Sequence, residues 1–287
     1  MSQGPGGRGG ADSVDVRAVT ALVEHVARTV VRPRFRSLLA GDVSEKSPGD
    51  LLTVVDLAAE AALTAGLAEI TPGVPVVGEE AVEHDPSLPD ILAAADLAWI
   101  VDPIDGTYAF VTGSPDHAVI VALVERGVPI GGWICLPEYE QTFVALRGLG
   151  AWCNGVRLPR LTPDLTDLRG GVAMEFLPGG SDALPDDVRE RVEAGIGGIG
   201  AQAHGSTQLW SGPTYARIAG GHEDFVFYWR TRPWDHAAGA VLIRELGGVS
   251  RRLDGSDYRV GDAEVGLIAA ASPEAADRVL ADLRPLG

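Results

Sequence analysis

The chain has 287 residues, 46% of them hydrophobic and 22% charged, and carries a formal net charge of -17. Such a length can bury a sizeable core, and so negative a balance argues against any general affinity for nucleic acid or an anionic membrane. No apolar run reaches the roughly 18 residues needed to span a bilayer, since the best stretch, 91–101, is broken by Asp96.

Residues 1–11 are rich in glycine and lack the apolar core of a signal peptide, so they read as a disordered tail on a cytoplasmic protein. Next, Val16, Val19, Leu22, Val23, Val26 and Val30 recur at helical spacing, which predicts a helix within 12–39 capped by Asp12 or Ser13. Residues 51–70 predict a second amphipathic helix, opened by an extended piece at 51–55 and ended by Pro72 and Gly73. A short strand at 74–77 runs into Gly78-Glu79-Glu80, and 85–90 reads as loop. Residues 97–101 form an apolar strand ending at Asp102. Strand-like runs follow at 118–124, 129–136 and 141–146, separated by turns, which predicts an antiparallel meander. Past Gly155 strands at 172–176 and 225–228 alternate with helices at 186–194, 207–219 and 235–246. The expected fold class is therefore mixed α/β (α+β), with an N-terminal subdomain at 12–155 and a C-terminal one at 156–287.

Cys135 and Cys153 are too few for a disulfide framework or a cysteine metal cluster and read as buried small side chains. Lys46 is the sole lysine in a chain whose other basic residues are arginines, a bias that GC-rich codons explain. By itself it reads equally well as an exposed loop residue.

Three acidic segments carry the chemistry: Gly78-Glu79-Glu80, then Asp102-Pro103-Ile104-Asp105-Gly106-Thr107, then Trp234-Asp235-His236-Ala237-Ala238-Gly239. Singly each has a plain explanation, as solvated loop, turn pair or helix cap. The middle one is more specific. Two carboxylates three residues apart at a strand end, with the Ile104 carbonyl, make a hard-oxygen donor set suited to Mg²⁺. The amides of Gly106 and Thr107, at a helix start, are aimed well for phosphate oxygens.

DPIDGT, with GEE before it and WDHAAG after it, resembles the inositol monophosphatase family of lithium-sensitive, metal-dependent phosphatases. The likeness extends over roughly 46–248 and includes Thr53-Val54-Val55-Asp56, GLGAWCNG at 148–155, Gly205-Ser206 and Glu245-Leu246-Gly247-Gly248. It implies a layered α/β/α/β/α sandwich, two or three Mg²⁺ ions per site and a homodimer. By the same resemblance Glu79, Asp102 and the Ile104 carbonyl hold one metal, and Asp102, Asp105 and Asp235 a second. Asp56, Glu79 and Thr107 orient and deprotonate the attacking water. Asp105, Gly106, Thr107, Gly205, Ser206, Tyr228 and Asp235 line the substrate, with Lys46 and Glu80 behind the site.

The implied reaction is hydrolysis of a small phosphate monoester by metal-activated water, without a phosphoryl-enzyme intermediate. Neither cysteine has the arginine spacing of a Cys-x5-Arg phosphatase. One departure concerns specificity: the family's inositol-selective members carry an acid seven residues before the WD aspartate, where this chain has Tyr228. That leaves inositol phosphates beside other sugar or polyol phosphates, histidinol phosphate, a sugar bisphosphate and a 3′-phosphonucleotide. An inactive protein that binds a phosphorylated ligand is the reading from another class. Arg230 and Arg232 stand either as receivers of a second anionic group or as surface arginines. His236 either touches substrate or packs, and Trp133, Trp152, Trp210 and Trp229 read as core or interface rather than a stacking platform.

Overall fold

The computed structural model describes residues 14–47, 50–173, 200–201, 209–261 and 265–283. Helix α1 (Val16–Val26) turns Val19, Val23 and Val26 inward. Its cap is Asp15, which accepts from the amides of Arg17 and Ala18 at 3.0 Å. The expected caps, Asp12 and Ser13, lie outside the described residues. The long helix expected within 12–39 is corrected as well: a π-helical turn (Ala27–Val31) and a 3₁₀ turn (Arg32–Arg34) follow α1, with Pro33 unable to continue the α-helical ladder.

A two-stranded ribbon, β1 (Val43–Ser47) and β2 (Asp50–Thr53), leads into α2 (Val54–Ile70). Thr53 and Asp56 form a capping box that fixes where α2 begins. The first main sheet has seven strands in the order β3-β4-β5-β6-β7-β8-β9. They are β3 (Val76–Gly78), β4 (Ala98–Asp105), β5 (Ala118–Glu125), β6 (Val128–Leu136), β7 (Gln141–Leu146), β8 (Gly150–Cys153) and β9 (Val156–Arg157). The meander is antiparallel, but β3 joins β4 in parallel through α3 (Glu79–His84) and α4 (Pro89–Ala94). The expected loop at 85–90 is thus partly helix, with Pro89 in the first turn, where its missing N–H costs nothing.

Alternation along these strands sorts the core into two layers. Trp99, Val101, Val119, Val121 and Trp133 face α1 and α2. The indole N–H of Trp99 donates to Thr71 at 2.7 Å and that of Trp133 to Thr20 at 3.0 Å, so both helices are tied to the sheet by satisfied polar contacts. Ile100, Ile120, Ala122 and Ile134 face the other way, toward α6 (Ser211–Ala219) and α7 (Pro233–Glu245). Between Thr107 and Thr112 runs the short α5.

The second sheet has five strands in the order β11-β10-β12-β14-β13. They are β10 (Arg169–Ala173), β11 (Gly200–Ala201), β12 (Phe225–Arg230), β13 (Val249–Arg251) and β14 (Val265–Ala270). Pairing is parallel at β10 and antiparallel around β14. Val226, Tyr228, Leu267 and Ala269 pack on α6 and α7, while Phe225, Phe227, Ile268 and Ala270 pack on α8 (Pro273–Leu283). Layer by layer the chain reads α1/α2, seven-stranded sheet, α6/α7, five-stranded sheet, α8. This is the expected α/β/α/β/α sandwich. The central helices lie close because Ala237, Ala238 and Gly239 are small; a Cβ on Gly239 would sit 2.2 Å from the Tyr215 ring. The predicted helix at 186–194 lies outside the described residues, and the one at 207–219 is seen only as α6.

Candidate active site

The strand expected to stop at Asp102 in fact runs on to Asp105, with an irregularity between the two. Asp102 faces Ile120 and Asp105 faces Ala118, so three steps on β4 are matched by two on β5. In a regular strand residues three apart point to opposite faces. The extra residue of the bulge brings both carboxylates to the same face, toward α7. Pro103, which has no N–H to offer the ladder, sits inside that bulge.

From the opposite wall the first turn of α7 contributes Asp235. Oxygens of Asp102, Asp105 and Asp235 all lie within 4.8 Å of one another. Asp105 is held by Gly212 N at 2.8 Å, Ser211 Oγ at 3.0 Å and Ser211 N at 3.2 Å. Asp102 is 1% exposed, and its buried Oδ1 has no hydrogen-bond partner among the described residues. A buried, unsatisfied carboxylate oxygen beside two more carboxylates fits a hard divalent cation, and this donor set is all oxygen.

Electrostatics agree with that fit. Burial, then the charge of Glu79, then those of Asp105 and Asp235, hold the Asp102 carboxyl well above the usual carboxylate range. Burial pushes Asp105 up to about 6 against the bonds from Ser211 and Gly212. Burial, Asp105 and Glu79 raise Asp235 well above its ordinary value, opposed by Arg230 and Arg232. Positive charge placed among these groups would restore their ionised forms.

Beside the three aspartates stands a hydroxyl relay. Thr107 Oγ1 lies 3.2 Å from Asp56 Oδ1 and 3.0 Å from the Ile104 carbonyl, two acceptors for one hydroxyl proton. Asp56 Oδ2 accepts the Thr53 amide at 2.8 Å and also the Thr53 hydroxyl. Burial lifts Asp56 to about 6 against those bonds. Thr107 opens α5 after Gly106, whose φ of 80° is left-handed and whose Cβ would meet the Asp116 carbonyl and Trp210 at 3.0 Å.

Glu79 lines the same pocket but turns its carboxylate to Lys46, whose Nζ lies 3.0 Å from Glu79 Oε1 and 3.2 Å from Glu80 Oε1. The single lysine is therefore no exposed loop residue: its side chain is 9% exposed among three acids, Asp50 at 3.7 Å being the third. Burial would lower its pKa, but Glu79, Glu80 and Asp50 together raise it. Glu80 is 3% exposed, and burial with the charge of Glu79 pushes it to about 8 despite Lys46. Tyr228, Arg230, Arg232 and His236 line the pocket together with Tyr108 and Trp210. Trp210, expected in core or interface, thus belongs to the site. His236 both packs and lines the pocket: its ring lies 4.6 Å from that of Tyr228, and burial lowers its pKa to about 3. Gly205 and Ser206 lie outside the described residues.

One residue that the motifs do not show is Glu60. Its carboxylate accepts the amides of Glu80 at 2.8 Å and Ala81 at 2.9 Å, which fixes the start of α3 and hence the position of Glu79. The signal was there: Asp56 and Glu60, four residues apart, interrupt the buried stripe Val55, Ala59, Leu63, Leu67 of α2.

The profile of the inositol monophosphatase family matches residues 12–286. The chain is 31% identical over 280 residues to inositol-1-monophosphatase ImpA of Mycolicibacterium smegmatis, covering 96% of each protein. It is 30% identical over 267 residues to the Nus factor SuhB of Salmonella typhimurium, covering 90% of this chain and 91% of the relative. Among solved structures, the extragenic suppressor protein suhB from Bartonella henselae superposes with a TM-score of 0.73 at 26% identity, over 93% of this chain and 97% of that one.

Proposed function

The chain belongs to the inositol monophosphatase family of metal-dependent phosphatases, and on that footing we propose that it is a Mg²⁺-dependent phosphomonoesterase acting on a small soluble metabolite. The observation that carries this reading is the convergence of Asp102, Asp105 and Asp235 within 4.8 Å around an unsatisfied carboxylate oxygen. These three, with Glu79 and the Ile104 carbonyl, would hold the metal. When bound, divalent cations supply positive charge for the phosphoryl oxygens and make a nearby water more acidic.

The chain's own groups do the rest. With its proton donated to Asp56, Thr107 Oγ1 keeps lone pairs to accept from a water and to aim it at phosphorus. Asp56 is the acceptor through which that water's proton leaves. The amides of Gly106 and Thr107 hold phosphoryl oxygens, and the rim of Tyr108, Trp210, Tyr228 and Arg230 receives the leaving group. Lys46 and Glu60 keep Glu79 and α3 in place. We further propose a homodimer, with the two subdomains of each protomer meeting near residue 155. Among the described residues no helix is long and apolar enough to cross a membrane.

A phosphate-release screen over inositol, sugar, nucleotide and amino-alcohol phosphates, run with Mg²⁺ and with chelator, tests the reading. Release that requires Mg²⁺ supports it; none on any ester refutes it. The name of the Salmonella relative supports a second reading, that of a Nus factor. A charge of -17 weighs against direct contact with nucleic acid, and tight RNA binding at physiological salt in a gel-shift assay would favour that reading instead.

A further inference from the structure

The aromatic rings that line the pocket fall into two groups. Tyr228, Trp234 and His236 are buried, and their faces are taken up by packing. The His236 ring lies 4.6 Å from that of Tyr228 and 6.2 Å from that of Tyr215, and Arg232 covers the ring of Trp234 at 5.7 Å. Tyr108 and Trp210 differ. Tyr108 is 45% exposed, and its ring centroid stands 6.5 Å from that of Trp210 with the two planes only 30° apart. One flat group can therefore lie nearly parallel to both rings.

Both rings are set by residues of the reacting centre. Tyr108 follows Thr107 in the first turn of α5. Trp210 is the cap residue of α6, and Ser211 after it holds Asp105 through its amide at 3.2 Å and its hydroxyl at 3.0 Å. A Cβ on Gly106 would stand 3.0 Å from Cγ and 3.2 Å from Cδ2 of Trp210, so the indole lies in the space that a side chain there would need. The left-handed glycine thus brings the indole against the backbone between Asp105 and Thr107.

Aromatic faces offer a leaving group area and stacking but no strong hydrogen bonds. Hydroxyls of a polyol turned toward them would give up water without replacement. An aromatic ring gives up little water and gains contact with both faces. We propose, on the footing of the phosphatase reading, that the natural substrate is a phosphate monoester whose leaving group carries an aromatic or heteroaromatic ring a few bonds from the ester oxygen, stacked on Tyr108 and Trp210. Hydrolysis puts the oxygen of water on phosphorus, breaks the bond to the ester oxygen and releases the ring as its alcohol, with a proton from that water.

The test compares 2-phenylethyl phosphate with 2-cyclohexylethyl phosphate, esters of similar size that differ in the planarity of the ring. With Mg²⁺ present and myo-inositol 1-phosphate as the polyol reference, released phosphate is the readout. The kcat/KM should favour the phenyl over the cyclohexyl ester by about fivefold or more, as expected of ring stacking on aromatic side chains. Tyr108→Leu combined with Trp210→Leu should bring that ratio near one. Tyr108→Phe and Trp210→Phe, which keep a ring, should each retain most of it, a split that a merely structural role would not give. A ratio near one in the unaltered protein, or turnover that favours myo-inositol 1-phosphate over the phenyl ester, would overturn the inference and leave the phosphatase standing. A preference that survives the double leucine variant would overturn it too, by removing both rings from the cause. No Mg²⁺-dependent release from these three or from any ester of the wider screen would sink the phosphatase reading itself, and this inference with it.

Discussion

Gly78→Ala perturbs the site without touching a group that reacts. Gly78 has φ -100° and ψ 154°, ordinary extended backbone that alanine adopts freely, so backbone strain plays no part. The added Cβ would stand 2.2 Å from Cδ of Glu60 and 2.3 and 2.6 Å from its oxygens. Glu60 must therefore leave, and the amides of Glu80 and Ala81 lose their acceptor. Two charge-assisted bonds at about 1.5–3 kcal/mol each, less about 0.4–1 kcal/mol gained from a stiffer unfolded chain, leave a cost of about 2–5.6 kcal/mol. Because those amides start α3, Glu79 shifts with them, and turnover should fall on the order of 100-fold. Glu60→Ala loses the same bonds but vacates the space, so adding Gly78→Ala to it should cost almost nothing further. Urea unfolding of the four proteins closes this cycle, and phosphate release follows the catalytic half. If Gly78→Ala lies within about 0.5 kcal/mol of the parent, or if the two changes add, Glu60 is not the strut described here.

Asp235→Asn should abolish most turnover yet make the metal-free protein more stable, because it removes a carboxylate raised by burial, Asp105 and Glu79. Thermal scans with and without Mg²⁺ should show the stabilising response to metal lost, and parental turnover in this variant would remove Asp235 from the metal set. Thr107→Val deletes the hydroxyl shared by Asp56 and Ile104 and should lower kcat by about 10²–10³-fold, with Thr107→Ser recovering most of it in the same phosphate assay. His117 is fully buried against Phe35 and Phe110, with Nδ1 3.2 Å from the Ser114 carbonyl, and burial lowers it to about 4 despite Asp116. Its folded pKa lies below the unfolded one near 6.5. The stability it contributes is therefore complete above that value and lost as pH falls toward 4, about 2 kcal/mol by pH 5. Urea unfolding at pH 7 and pH 5 should show this loss shrink by the same amount in His117→Phe.

Helices α2 and α7 and the meander were legible because their apolar spacing matches the geometry they adopt: 141–146 is strand β7 to the residue. Short elements set by tertiary contact were not. Strand β14 passes through Gly266, and α8 begins at Pro273 with weakly hydrophobic texture, so neither declares itself before its neighbours in the second sheet are known. The end of β4 was misplaced for a physical reason, since proline usually terminates pairing, whereas here a bulge absorbs it. In the site, the acids within compact motifs were visible. Glu60 carried only the faint signal of its place four residues after Asp56 on the buried face of α2, and the amides of Ser211 and Gly212 carried none, because backbone donors have no residue signature.

Placing a phosphate ester on a protein of charge -17 requires that the negative field be reversed at one spot, and the pattern of pairing shows where. Elsewhere in the fold buried acids are matched with arginine: Glu223 meets Arg217 at 2.7 Å and Asp224 meets Arg169 at 3.5 Å. Asp105 is satisfied by two amides and a hydroxyl, and Glu60 by two amides. Asp102 is as deeply buried as any of these, and among the described residues its Oδ1 has no partner, a lack it shares with Oε2 of Glu223, whose other oxygen however meets Arg217. Leaving a buried carboxylate so exposed to its neighbours' repulsion costs several kcal/mol unless a cation comes from outside the chain. An arginine at that spot would have stabilised the fold but occupied the volume where a divalent ion and a phosphoryl group must meet. The missing counter-charge is thus a requirement of the chemistry, and the scarcity of resident cations at this end of the pocket follows from it.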